Sequence, residues 1–172
     1  MHIETDIERV RELAEAKEDQ NWRFRTFLKG VDLSVKELDS IAHRHYKDIA
    51  RQIDCGTYAN CCKEVSPKLS EEDVTRLASC LGISSSELTA AHLRRTEDGN
   101  AWCFRQKPCP FLRDNCCTVY DARPDDCRSF PHLHKDEFVF RLIQVVNNCS
   151  VCPIVYNVFE RLKEELWQSK RI

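Results

Sequence analysis

Apolar residues recur at three- and four-residue steps at the start of the chain. Ile3, Ile7, Val10, Leu13 and Ala14 draw one stripe along an otherwise charged segment, which predicts an amphipathic helix whose stripe packs into a core. A second helix is expected from Ser34. Ser34-x-x-Glu37 is a capping-box pattern, in which a hydroxyl and a carboxylate satisfy backbone N–H groups left open by the first turn, and Leu38, Ile41, His45 and Ile49 follow at helical spacing. Trp22, Phe24, Phe27 and Leu28, between these helices, are too apolar for a free linker. Ser70-x-x-Asp73 opens a short helix through Val74, Leu77, Ala78 and Leu81 that Gly82 stops, and Ser84-x-x-Glu87 opens another through Leu88, Ala91 and Leu93.

The pattern then weakens. Residues 97–136 carry five cysteines and four prolines with little periodicity, and so long an irregular stretch needs something other than regular structure to pin it. Residues 137–146, EFVFRLIQVV, fit a strand or a buried helix equally well by period. From Pro153, which suits a first helical turn, Val155, Val158, Phe159, Leu162 and Leu166 form an apolar face, with Glu160, Lys163 and Glu164 expected opposite it.

The 172 residues hold 26 Lys+Arg against 28 Asp+Glu, 42% hydrophobic residues and 11 cysteines. That length carries a core without disulfides, and the balance excludes collagen-like and wholly disordered chains. Near-neutral charge argues against bulk nucleic-acid binding, since Arg94-Arg95 and Lys170-Arg171 are too short to neutralise a phosphate backbone. No apolar run reaches the roughly 18 to 20 residues of a membrane helix, and the acidic, amphipathic start lacks an export signal, so neither membrane nor nucleic acid is expected as a partner and the cytosol is the expected compartment.

Thiols in that compartment stay reduced, so eleven cysteines point to metal or redox chemistry rather than a disulfide framework. Soft thiolates select zinc, copper(I) or iron–sulfur clusters. Only Cys149 and Cys152 keep the C-x2-C spacing of a zinc knuckle, and the bacterial ferredoxin spacing is absent. Cys80, beside Leu77 and Leu81, is expected to act as a small core hydrophobe, and the roles of Cys103 and Cys116 stay open. Cys149-Ser-Val-Cys152-Pro also admits a redox dithiol at a helix start. His132 and His134 are alternates for a missing ligand, although an ordinary turn suits them better. His43 and His45 are read as surface or packed residues. No nucleophile elbow, zinc-protease helix or Gly-rich nucleotide turn is present.

Taken with Cys55-x5-Cys61-Cys62, the run Cys109-Pro-Phe-Leu112, Cys117-Thr-Val-Tyr120, Arg123-Pro124, Cys127-Arg128, Phe130-Pro131 and Cys152-Pro153, together with Leu81-Gly82-Ile83-Ser84, resembles the YkgJ-like cysteine-cluster proteins. These are zinc- or iron-chelating domains, with a related domain in flagellin lysine methylases. The chain departs from their C-x2-C-x2-C-C pattern in one place, where Tyr58 stands for the second cysteine. The resemblance implies metal ligation by Cys61, Cys109, Cys117 and Cys127 first, then Cys55, Cys62 and Cys152, holding zinc or a [4Fe–4S] cluster. Arg123 and Arg128 would donate to its sulfurs, with Tyr120, Pro124, Phe130 and Pro131 keeping water out.

The expected fold is mainly α. It comprises an N-terminal helical hairpin over 1–54 packed on the core, and a small irregular cysteine-rich metal-binding domain over 55–172 closing on an amphipathic helix. The expected function is a metal-binding protein serving electron transfer, metal handling or assembly with a partner protein. The alternative is an enzyme, either methyltransferase-related or a thiol oxidoreductase.

Overall fold

The computed structural model describes residues 2–168, so Lys170 and Arg171 lie outside the described residues. Contacts divide the chain into two compact units: residues up to Asp54 together with those from Pro131 onward, and Cys55–Phe130. The stretch beyond 130, expected to belong with the cysteine-rich domain, groups instead with the N-terminal helices.

The first unit is helical. α1 (Ile7–Ala16) starts where the Asp6 carboxylate accepts the Arg9 N–H at 2.8 Å, and buries Val10 and Ala14. α2 (Glu18–Gly30) is the apolar segment after it, with Asn21, Phe24 and Leu28 inside, so the N-terminal part is three helices rather than a hairpin of two. α3 (Val35–Ala50) begins on the complete Ser34/Glu37 capping box and buries Leu38, Ala42, His45 and Ile49.

The ambiguous 137–146 stretch is helical. A 3-10 turn over Phe138–Arg141 runs into α8 (Leu142–Asn148), because Phe138, Leu142, Val145 and Val146 are the buried positions and recur at helical spacing. The N–H groups of Glu137 and Phe138 that open this turn donate to the buried Asp39 carboxylate at 2.8 and 2.7 Å.

α9 (Pro153–Lys163) has proline in its first turn, as expected, and packs against α3 and α1. Its burial is nearly all-round, and this corrects the two-faced reading: Lys163 is 2% exposed. A buried ammonium must be paired. Lys163 Nζ donates to Asn21 Oδ1 at 2.9 Å, to Gln20 Oε1 at 3.2 Å and to Glu160, which also pairs with Lys17 at 2.8 Å. Phe159 meets Phe24 edge-on at 5.1 Å between ring centroids. Among the described residues no single helix is long and apolar enough to cross a membrane.

The second unit has short elements around a small core. After a 3-10 turn over Cys55–Thr57 come α4 (Asn60–Glu64), α5 (Glu71–Leu81) and α6 (Ser85–His92). Both predicted capping boxes, Ser70/Asp73 and Ser84/Glu87, are formed, and Gly82 ends α5 with φ +68°. β1 (Leu93–Arg95) pairs antiparallel with β2 (Trp102–Phe104), and β3 (Leu112–Arg113) with β4 (Cys116–Cys117); α7 (Asp125–Ser129) follows. Leu69, Val74, Leu77, Leu88, Leu93, Phe104, Phe111 and Val119 fill the core, with Cys109 and Cys117 packed on its flank.

Candidate metal centre

Cys62, Cys109, Cys117 and Cys127 come from four separate segments of the second unit, each tied in place by its own hydrogen bonds. α4 presents Cys61 and Cys62. The Cys109 N–H donates to the Cys62 carbonyl at 2.8 Å, tying the Pro110-Phe111 loop to α4. β3 and β4 are joined by Asp114 and Asn115, at φ +49° and +60°. Two successive positive φ values are what a two-residue type I′ hairpin needs, and Asp and Asn tolerate them. Alternation along β4 then turns Cys116 out to solvent and leaves Cys117 half-buried. The Asn115 amide donates to the Thr57 carbonyl at 3.0 Å, fastening this hairpin to the Cys55 turn.

Cys127 rides on α7, whose position is set by α5. The buried Asp73 carboxylate accepts the Asp125 N–H and the Ser70 N–H, each at 3.0 Å, and pairs with Arg76. Arg76 in turn donates to the Arg123 carbonyl at 3.1 Å and to Asp125 at 2.9 Å.

Cys62, Cys109, Cys117 and Cys127 lie within electrostatic reach of one another, and each of the other three thiols is disfavoured from ionising by charge on Cys62. Cys61 Sγ is 4.0 Å from Cys62 Sγ. The hydrogen bond from Cys61 outweighs burial and, with Arg123 and Lys63 nearby, brings the Cys62 thiol down to about 7. Burial pushes Cys109 up to about 11 and Cys127 up to about 12. Cys117 is also raised by burial. Backbone N–H groups oppose this at two of the sulfurs: Phe111 donates to Cys109, and Val119 to Cys117.

Arg123 stacks over the Tyr120 ring at 3.7 Å and favours the ionised forms of Cys62 and Cys117. Its Nε is buried and, among the described residues, has no hydrogen-bond partner. Arg128 is committed elsewhere: its Nε donates to the Arg123 carbonyl at 3.0 Å and its Nη2 to the Asp121 carbonyl. Tyr120 is 58% exposed, so it carries Arg123 on its face rather than sealing the site.

Cys55 is half-buried in the same unit. Cys152 falls in the first unit at the start of α9, beside buried Cys149, whose thiol donates to the Val145 carbonyl at 3.3 Å. Cys103 is buried on β2. His132 and His134 are also in the first unit, where His134 packs against Tyr46 at 5.9 Å. His43 bonds the Lys135 carbonyl at 3.1 Å, and His45 bonds Glu165 at 2.7 Å.

Cys80 is exposed, against the expectation that it is core, because α5 spends its inward positions on Leu77 and Ala78. Its charge bears on Cys117. The spacing of Arg76 and Cys80, four apart and so on one helix face, is the sequence signal for that placement.

Residues 54–153 match the family described as "CxxCxxCC: Putative zinc- or iron-chelating domain". The chain belongs to that family. Neither a curated protein nor a solved structure gives a significant match. The donor set suits the family's chemistry. Four soft thiols come from separate segments, two receive backbone N–H groups, and a buried guanidinium N–H beside them lacks an acceptor that thiolate sulfur would supply. Among the described residues, no three Cys, His, Asp or Glu side chains stand close enough to hold an ion as they are.

Proposed function

We propose that the Cys55–Phe130 unit is a thiolate metal-binding module in which Cys62, Cys109, Cys117 and Cys127 hold a zinc ion or an iron–sulfur cluster. The supporting observation is the shared neighbourhood of these four thiols, brought from α4, the Cys109 loop, β4 and α7. Cys61, hydrogen-bonded to Cys62, and Cys55 are the next candidates in that unit. The side chains close on the centre as it binds, so metal binding and ordering of the loops are one event.

Zinc would supply a structural cross-link, and a [4Fe–4S] cluster one-electron transfer. The protein's own part is clearer. Phe111 and Val119 N–H groups aim at two sulfurs, Tyr120 holds the Arg123 guanidinium, and Arg123 offsets negative charge that the half-buried thiolates gather. A reducing compartment such as the cytosol would keep these thiols available.

A second reading, a thiol oxidoreductase, draws on the lowered Cys62 thiol beside Cys61. It predicts a thiol that reacts in metal-free protein while the fold persists.

The deciding experiment measures metal, acid-labile sulfide and the absorption spectrum on the full chain purified without oxygen. Serine variants of Cys62, Cys109, Cys117 and Cys127 should each lose the metal, while those of Cys103 and Cys149 keep it. Metal-free wild type, or retention by all four variants, would overturn the module.

A further inference from the structure

In the first unit, α3 and α9 pack together and part at the C-terminal end of α3 around a cavity of about 320 Å³. Its lining is His45, Asp48, Ile49, Arg51, Gln52 and Arg161. That volume stands at the lower end of small-molecule sites. His45, Asp48, Ile49 and Gln52 recur at three- and four-residue steps, so they share one face of α3 and the turn that follows it, while Arg161 comes from α9. The two walls are tied to each other by Glu165, one turn beyond Arg161, which accepts from Arg44 at 2.6 Å and bonds His45 at 2.7 Å. At that point the chain leaves the α-helix, and Glu164–Gln168 form a π-helical turn. Such turns are rare and gather at functional sites.

The charges in the lining are arranged unlike those elsewhere in the protein. Asp48 and Arg51 are three residues apart, a spacing at which α1 closes the ion pairs Arg9–Glu12 at 2.9 Å and Arg11–Glu8 at 3.6 Å. Among the described residues, Asp48 and Arg51 close no ion pair, with each other or with any other side chain. Opposite charges that face one cavity without meeting complement a molecule carrying both signs. The negative end of the α3 dipole lies here as well and favours a cation beside Asp48. Ile49, 2% exposed, adds an apolar wall.

We propose that this cavity binds a free amino acid, with its ammonium at Asp48, its carboxylate between the Arg51 and Arg161 guanidiniums, and its side chain toward Ile49. A bare oxyanion would leave the Asp48 carboxylate beside it as a repelling charge, and a bare amine would leave both guanidiniums without an acceptor. All six lining residues belong to the first unit, so the site does not depend on the metal-binding reading of the second.

The experiment follows thermal unfolding of the full chain with each common L-amino acid at millimolar concentration. Calorimetry then measures the affinity of the one that stabilises most, beside its deaminated and decarboxylated analogues. One amino acid should raise the midpoint and saturate a single site, and each analogue should bind at least about tenfold more weakly, because it lacks a charge-assisted contact. D48N and R51Q change exposed residues and should keep the wild-type fold by circular dichroism while losing affinity by about the same factor. K47A, on α3 but outside the lining, should bind as wild type does. Absence of saturable binding by any amino acid would overturn the proposal. Equal affinity for the deaminated analogue would also overturn it, by reducing the site to an oxyanion cradle. Full binding by both D48N and R51Q would do so by placing the ligand elsewhere.

Discussion

Replacing Asp73 by alanine tests whether α5 holds the Cys127 segment in place. The carboxylate is 3% exposed and accepts the N–H groups of Ser70 and Asp125 at 3.0 Å each, besides pairing with Arg76. Losing the reciprocal half of the capping box costs about 1 kcal/mol. Leaving the Asp125 N–H without its acceptor costs about 1–3 kcal/mol. Arg76 is 35% exposed and keeps Asp125 and the Arg123 carbonyl, so its lost pair adds little. The total is about 3 kcal/mol, near two orders of magnitude in an equilibrium constant.

The assay is urea unfolding of metal-free D73A, D73N and wild type, followed by far-UV circular dichroism. Chelator competition on the loaded proteins accompanies it. D73A should lose about 3 kcal/mol, with D73N in between because one oxygen remains to accept. Metal affinity should fall with stability, by up to about a hundredfold, since binding requires the ordered loop. A D73A change under about 0.5 kcal/mol would refute the anchoring argument. Lost stability with unchanged metal affinity would instead separate Cys127 from the centre.

Gly82→Ala should destabilise by about 1–2 kcal/mol through backbone strain alone, because φ is +68° and the added Cβ meets no atom within 4 Å; thermal unfolding reads this. Phe159→Ala, at a fully buried ring, should cost about 3–5 kcal/mol by urea unfolding, and a loss under about 1 kcal/mol would contradict its packing on Phe24. Partial burial opposes ionisation of Glu165, but hydrogen bonds from Arg44 and His45 outweigh it and hold the carboxyl below its usual value. Its stabilising contribution is therefore full above the unfolded value of about 4.3 and disappears as pH falls through the lower folded value. E165Q should flatten that acid limb in urea midpoints measured from about pH 5 downward, and an unchanged slope would count against the pair.

Local signals in this sequence were decisive where the physics is local. Ser34 with Glu37, Ser70 with Asp73 and Ser84 with Glu87 satisfy N–H groups within a single turn, so a four-residue pattern suffices to place each helix start. Gly82 and Pro153 act through their own φ in the same way. The cysteine motif was equally legible as a family signature. Tertiary packing decided what those signals leave open. The Cys62 thiol comes within reach of Cys109, Cys117 and Cys127, which belong to segments far along the chain. Lys163 reads as a solvent-facing charge until Asn21, Gln20 and Glu160 close around it. Cys80 reads as core until Leu77 and Ala78 take the inward positions of α5. In each case the outcome depends on which distant segment arrives at a given face, and neighbouring residues carry no record of that arrival.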